Sequence, residues 1–357
     1  MSTTSATKPA TTTAPAVPYP HVALDNPALK YTGRTMVVPG ESYLDWSASG
    51  LELAVTGGTV EAQLYGVDLG DNNQRVYMAV YVNGRRTKTF YLENGLAWYT
   101  LAETLPENTV SAVRLVRLTE ASQGKASLFD LKVTGKLAPR PADKPHRIEW
   151  IGDSLTCGYG VLGASQADPF LASTEDVTKT YAWLCAEALN AEMSVVAASG
   201  YGIGSNWAGK EEQLIPDVFP YYNSLSRSIT EKWEYSRYQP ELVVINLGTN
   251  DFNGCQGSDE GASRVRKGIV RFLTALRAAY PDATICWVYG FCGDGYGNVI
   301  RQSVEAFAAA DGNAAYIPVS VQNAAKNGYG SGWHPNAASN EDCAAELLPE
   351  LKKLMNW

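Results

Sequence analysis

Apolar and β-branched residues cluster in short runs broken by polar turn residues over 31–136, at 51–55, 59–64, 76–82, 87–92, 110–118 and 127–133. Short runs of this composition bounded by turn residues predict β-strands. Asn83-Gly84 stands between two of them. A type I′ turn needs positive φ at both central residues, which this pair tolerates, and a hairpin is expected there. Strands at this spacing, with no helical segment among them, predict a β-sandwich or jelly roll over residues 31–136.

The period changes after Arg147. Apolar runs at 148–151, 194–198, 242–247, 284–288 and 315–319 alternate with helical segments. Within 264–279, Val265, Ile269, Phe272, Leu273 and Leu276 share one helical face, and Pro281 ends the segment. Residues 299–311 repeat the device with Ile300, Val304, Phe307 and Ala308. Strands separated by helices predict a three-layer α/β/α domain with a parallel five-stranded sheet over residues 146–357. Chemistry then belongs in the loops beyond the carboxyl ends of the strands. Residues 137–145, with Pro139, Pro141 and Pro145, read as a linker between the two units. Residues 1–30, opening on a stretch made almost entirely of Thr, Ala, Ser and Pro, read as a disordered tail.

Composition narrows the function. The length of 357 residues suits two units at ~100–200 residues each. A hydrophobic content of 45% suffices for sizeable cores and excludes a disordered chain. Lys plus Arg is 29 against 37 for Asp plus Glu, a net charge of −8, and such a surface repels phosphate backbones, so no nucleic-acid partner is expected. No run of ~18 apolar residues could span a membrane, and the N-terminus lacks the apolar core of a signal peptide. A cytoplasmic protein is expected; a secreted one whose signal peptide has been removed is the alternative. Six cysteines without a CxxC pair or zinc-finger spacing read as thiols rather than metal ligands.

The candidate chemistry begins at the end of the first parallel strand, Ile151-Gly152-Asp153-Ser154. A serine just past a buried strand is exposed where a nucleophile would be. The alternative is that Asp153 or Ser154 merely caps a helix. A serine hydroxyl needs a base, and the chain has three histidines. His21 lies beside the tail and His146 at the amino end of the first parallel strand. His334, in Ser331-Gly332-Trp333-His334-Pro335, follows the last strand by a loop and can approach the edge where Ser154 lies. Two further strand ends offer donors for a developing oxyanion: the N–H of Gly200 in Ala198-Ser199-Gly200-Tyr201-Gly202, and the side-chain amide of Asn250 in Gly248-Thr249-Asn250-Asp251. A tight strand-to-helix connection is the alternative for each, and Asp251 is expected to brace or cap its loop.

Ser154, Gly200, Asn250 and His334 match, in order, the four blocks of the SGNH (GDSL) hydrolases, which the chain resembles. Within that superfamily it is most similar to carbohydrate esterase family 2, on Leu44-Asp45-Trp46-Ser47, Arg117-Leu118-Thr119-Glu120, the residues 148–154 and the residues 244–252. The likeness covers residues 31–357. It implies a β-sandwich ahead of the hydrolase domain, no metal or organic cofactor, and serine-dependent removal of acetyl groups from plant polysaccharides or oligosaccharides of mannan or xylan type. SGNH enzymes commonly carry Asp three residues before the histidine; here that position is Ser331. A Ser-His dyad is therefore expected, with a backbone carbonyl near Ser331 accepting the proton on Nδ1. A remote carboxylate brought in by folding is the competing possibility. Losing the acid of a related triad costs ~3 × 10⁴ against ~2 × 10⁶ for the serine or the base, so a dyad is workable. If the substrate is a sugar, Trp333, Tyr159, Tyr201 and Trp207 are candidate platforms, with core packing as the alternative for each. A general short-chain or lipid esterase would use the same four residues, and a non-catalytic carbohydrate-binding protein is the rival from another class. Nothing in the sequence fixes an oligomeric state.

Overall fold

A computed structural model describes residues 21–67, 74–223, 225 and 231–357. The first nine strands are β1 (Lys30–Thr32), β2 (Met36–Val38), β3 (Glu41–Tyr43), β4 (Gly50–Val67), β5 (Tyr77–Val82), β6 (Arg85–Tyr91), β7 (Gly95–Arg117), β8 (Lys125–Val133) and β9 (Lys136–Leu137). All pair antiparallel. The first half of β4 lies between β7 and the short β1 and β9, and its second half between β7 and β8. Register shifts between Thr56 and Glu61 mark bulges. Across them the buried positions change parity, from Leu51, Leu53 and Val55 to Val60, Ala62 and Leu64. Bulges let a strand re-aim its alternating side chains, so one strand pairs with β1 and β9 along its first half and with β8 along its second, and both halves feed a single core. The runs 51–55 and 59–64, expected as separate strands, are thus one. The hairpin forms as expected, with φ of 51° at Asn83 and 77° at Gly84.

Residues 1–20 of the expected tail lie outside the described residues. Residues 21–30 correct the expectation: Val22 donates its N–H to the Leu131 carbonyl at 2.8 Å, and Val22, Leu24 and Leu29 are buried in the sandwich core. Three apolar anchors in ten residues make no periodic pattern, yet they suffice to add a segment to an existing sheet. The proline-bearing residues after β9 are also held on both sides. Lys30 donates to the Ala142 carbonyl at 2.9 Å, and the Lys144 N–H donates to Glu192 at 2.8 Å.

The second sheet comprises β10 (His146–Gly152), β11 (Ala191–Ala197), β12 (Leu242–Asn246), β13 (Thr284–Tyr289) and β14 (Ala314–Pro318), all parallel, in the order β11-β10-β12-β13-β14. The helices are α1 (Ser154–Cys157), α2 (Tyr181–Ala188), α3 (Ile215–Val218), α4 (Thr249–Gly254), α5 (Asp259–Ala279), α6 (Gly297–Asp311), α7 (Ala324–Asn327) and α8 (Ala337–Met355). The five apolar residues that predicted α5 are all buried, at 0–1% exposure. Ser258 caps it by accepting from the Gly261 N–H, and Asp259 and Glu260 complement the positive end, so the helix starts six residues earlier than its apolar stripe. Among the described residues, no helix is long and apolar enough to cross a membrane.

The strand order reverses direction at β10, whose neighbours are β11 on one side and β12 on the other. Connections leaving adjacent strand ends in opposite directions open a crevice beyond their carboxyl ends. Ser154, Gly200 and Asn250 follow β10, β11 and β12, the three strands around that point.

The two units share their cores. Ala48 and Val116 of the sandwich pack in one hydrolase cluster, and Trp46 and Ala121 in the other. Arg34, fully buried, donates to the Phe219 carbonyl at 2.7 Å, to the Tyr221 carbonyl at 3.1 Å and to Glu149 at 3.2 Å. Arg86 pairs with Asp176 at 2.7 Å, and the Trp46 indole N–H donates to the Tyr222 carbonyl.

Candidate active site

Asp153 follows the end of β10 and caps α1, its carboxylate accepting the Leu155 N–H at 3.0 Å. Capping thus falls to Asp153, and Ser154 is left to point elsewhere. Its Oγ stands 2.8 Å from His334 Nε2. Nδ1 of the same ring lies 3.0 Å from the Gly332 carbonyl oxygen. A proton on Nδ1 donated to that carbonyl leaves Nε2 unprotonated, facing the hydroxyl as its acceptor. The expected main-chain acceptor near Ser331 is Gly332, and among the described residues no carboxylate bonds the ring. Burial pushes the His334 imidazole below its ordinary value, opposed by the carbonyl.

The loop that carries His334 is pinned to the loop after α1. Ser331 donates its N–H to the Gly160 carbonyl at 2.9 Å, and Ala337 donates to the Val161 carbonyl at 3.2 Å. A Cβ on Gly160 would come within 2.9 Å of Ser331, so a glycine there admits this approach. The Tyr159 ring stacks on Phe170 at 3.8 Å and lies 4.5 Å from the imidazole.

Gly200 has φ +81°, and a Cβ there would stand 2.7 Å from Trp207 Cδ1, so conformation and space both require glycine. Among the described residues, no acceptor is bonded to the N–H of Gly200 or of Ser154. Asn250 differs: its Nδ2 already donates to Asp153 at 3.1 Å and to the Tyr201 carbonyl at 2.9 Å. It ties the serine's turn to the Gly200 loop and can reach an oxyanion only as a shared donor. Burial pushes Asp153 up to about 7, with nearby Asp251 adding to the rise and the Leu155 N–H opposing it. Asp251 braces its neighbouring loop, accepting from the N–H groups of Ile203, Gly204 and Ser205 at 3.0, 2.7 and 2.6 Å.

The four aromatic candidates divide. Trp333 and Trp207 are 63% and 65% exposed, beside His334 and Gly200 respectively. Tyr159 and Tyr201 are only partly exposed. Tyr159 is spent on Phe170 and the imidazole, and Tyr201 packs against the hydrolase core. Both follow glycine-rich turns, where an aromatic can fold back as readily as it can project.

The sequence reading passed over a group beneath this site. Glu120, fully buried and from the sandwich, accepts the Ser199 N–H at 2.7 Å, and Glu175 accepts the Glu120 N–H at 2.8 Å. Cys157 donates its thiol to Glu120 at 3.8 Å. The signal available was Glu120 itself, an acid closing an apolar strand, but its partner lies 79 residues away. Glu120, Cys157 and Glu175 are the one trio among the described residues whose ligand atoms lie within 4.8 Å of one another. Burial pushes the Cys157 thiol and the Glu175 carboxyl well up, so these groups favour protons over a cation. All six cysteines are free thiols.

Geometrically, a hydroxyl bonded to a neutral imidazole, beside two unengaged backbone donors, can attack an acyl carbonyl and hold the resulting oxyanion. Residues 150–341 match the GDSL-like Lipase/Acylhydrolase family, and residues 31–141 the Carbohydrate esterase 2 N-terminal family. The chain is 32% identical over 345 residues to the cellulase/esterase CelE of Acetivibrio thermocellus, covering 93% of this chain but only 40% of that relative. It is 25% identical to an acetylxylan esterase / glucomannan deacetylase of Cellvibrio japonicus, over 94% of this chain and 91% of the relative. Among solved structures it is similar to a family two carbohydrate esterase from Clostridium thermocellum in complex with cellohexaose, at 29% identity and TM-score 0.84, covering 92% and 99% of the two chains. An acetyl xylan esterase from the rumen bacterium Butyrivibrio proteoclasticus shares the fold, with TM-score 0.87 over 95% and 98% of the chains. The chain thus belongs to the GDSL-like lipase/acylhydrolase family, in the carbohydrate esterase family 2 form that sets an antiparallel domain before the hydrolase sheet.

Proposed function

We propose that this protein is a serine esterase that removes O-acetyl groups from plant polysaccharides or their oligosaccharides. Ser154 Oγ attacks the acetyl carbonyl carbon while His334 Nε2 takes the hydroxyl proton, and the carbonyl oxygen becomes an oxyanion. The N–H groups of Ser154 and Gly200 hold that oxyanion, with Asn250 as a shared third donor. On collapse the sugar oxygen leaves with the proton from His334, and the acetyl group stays on Ser154. Water, deprotonated by the same imidazole, then releases acetate and restores the serine. The Gly332 carbonyl holds the ring in the required tautomer throughout.

The observation that carries this reading is the 2.8 Å contact between Ser154 Oγ and His334 Nε2 across 180 residues of chain. The relatives' acetylxylan and glucomannan chemistry supports the substrate class, as do two exposed tryptophans flanking the dyad. The test is proton NMR of acetylated xylan and mannan oligosaccharides during digestion, with aryl acetate and aryl butyrate turnover alongside. Acetate release and a preference for acetyl over butyryl are expected, with Ser154→Ala losing on the order of 10⁶-fold in kcat. Near-native aryl acetate turnover by Ser154→Ala would overturn the nucleophile, and a butyryl preference would overturn the substrate class.

A further inference from the structure

We infer that Glu120, contributed by the sandwich, is a positioning residue for the Gly200 oxyanion donor in the hydrolase domain. The inference rests on the proposed roles of Ser154 and Gly200. Besides the Asn250 amide on the Tyr201 carbonyl, the turn after β11 is shaped by the Tyr201 N–H donating to the Ala198 carbonyl at 3.2 Å, the Trp207 N–H to the Gly200 carbonyl at 3.0 Å, and the Ser199 N–H to Glu120 at 2.7 Å. The first two close the turn on its own loop. Only the third ties the residue before Gly200 to the other unit. The plane of the Ser199–Gly200 peptide decides where the Gly200 N–H points, so the tether on the Ser199 N–H acts one peptide unit away from the donor.

Glu120 is itself fixed at both ends. Its N–H donates to Glu175 at 2.8 Å, and its carbonyl accepts from the buried Arg117 guanidinium at 2.6 Å. Arg117 also donates to the Thr119 carbonyl at 2.7 Å and the Gly124 carbonyl at 2.8 Å, which makes the turn carrying Glu120 a rigid bracket. A fully buried carboxylate is costly to keep, and a backbone carbonyl would satisfy one N–H more cheaply. What the carboxylate adds is a strong, directed acceptor on a rigid mount. Among the described residues its other oxygen, Oε1, has no hydrogen-bond partner, so the pull falls on Oε2, which bonds Ser199 and Cys157.

Aryl acetate kinetics of Glu120→Ala, Glu120→Asp and Glu120→Gln test this, together with the affinity of a boronic acid that forms a tetrahedral adduct on the serine. Alanine removes the acceptor and aspartate withdraws it by a methylene. Each is expected to lower kcat by roughly 10- to 100-fold, as a donor is misaimed rather than deleted. KM should shift less than kcat, and boronate affinity should fall in parallel with kcat. Glutamine keeps an acceptor oxygen and is expected to recover most of the loss. If the alanine variant does not fold, aspartate against glutamine decides. Wild-type kcat in a folded alanine or aspartate variant would overturn the inference, as would a loss confined to KM or a glutamine variant as slow as the alanine one. Ser154→Ala runs as the control: turnover surviving in it would sink the underlying reading and this inference with it, whereas an inactive Ser154→Ala beside a Glu120→Ala of wild-type kcat would sink this inference alone.

Discussion

A peptide carbonyl behind an imidazole selects the ring's tautomer without adding a charge, so it cannot hold the ring's proton as firmly as a carboxylate would. In this protein burial dominates and drives the His334 value below 6.5. Because the folded ring gives up its proton at lower pH than the unfolded one, its contribution to stability is complete above the unfolded value and fades as pH falls through that window. Activity follows the same sign, since only the neutral ring accepts the Ser154 proton. An NMR titration of the His334 ring should place its midpoint below 6.5, with kcat/KM falling on the acid side of that midpoint. A midpoint above 6.5 would mean that a carboxylate pairs with the ring after all. The dyad itself was legible as residues, because His21 and His146 sit on the wrong parts of the fold. Its acceptor was legible only as an absence, since a main-chain oxygen has no letter in the sequence.

At the level of elements, two loops bring tryptophans to the rim of the crevice by different means. Trp207 is held by its N–H on Gly200, whereas Trp333 sits at φ +66° in the turn that delivers the catalytic imidazole. A bulky residue rarely adopts that conformation, and the cost is of order 1–3 kcal/mol. Trp333→Ala should therefore raise KM for an acetylated oligosaccharide by roughly five-fold, a stacking contact of about 1 kcal/mol, and change aryl acetate kinetics less. Equal losses on both substrates would assign Trp333 to packing. The strands and amphipathic helices were readable because their periods follow from burial on one face, as α5 and the 83–84 hairpin illustrate. The continuity of β4 was hidden, because bulges shift the parity by which strands are recognised. The packing of 21–30 was hidden too, since three apolar residues acquire meaning only against β8. Which way Tyr159 and Tyr201 pack was not legible for the same reason: exposure is a property of the neighbours.

For the whole molecule, the buried contacts between the units outweigh the linker in deciding how it behaves. Arg34 and Glu149 are both fully buried, and the same guanidinium lies 5.0 Å from the Phe219 and Trp233 rings. Arg34→Met would strand the Glu149 carboxylate and release the Phe219 and Tyr221 carbonyls, at a cost of about 3–5 kcal/mol. Calorimetry should show one transition in the native chain, shifted down as a whole in the variant. Two separate transitions, with only one of them moved, would mean that the units melt independently. The cluster that Trp46 and Ala121 share with the hydrolase sheet sets a condition on any chimaera. Exchanging the front half for a foreign module would leave a hole in the floor of the hydrolase domain unless the replacement carried side chains of matching volume at those two places.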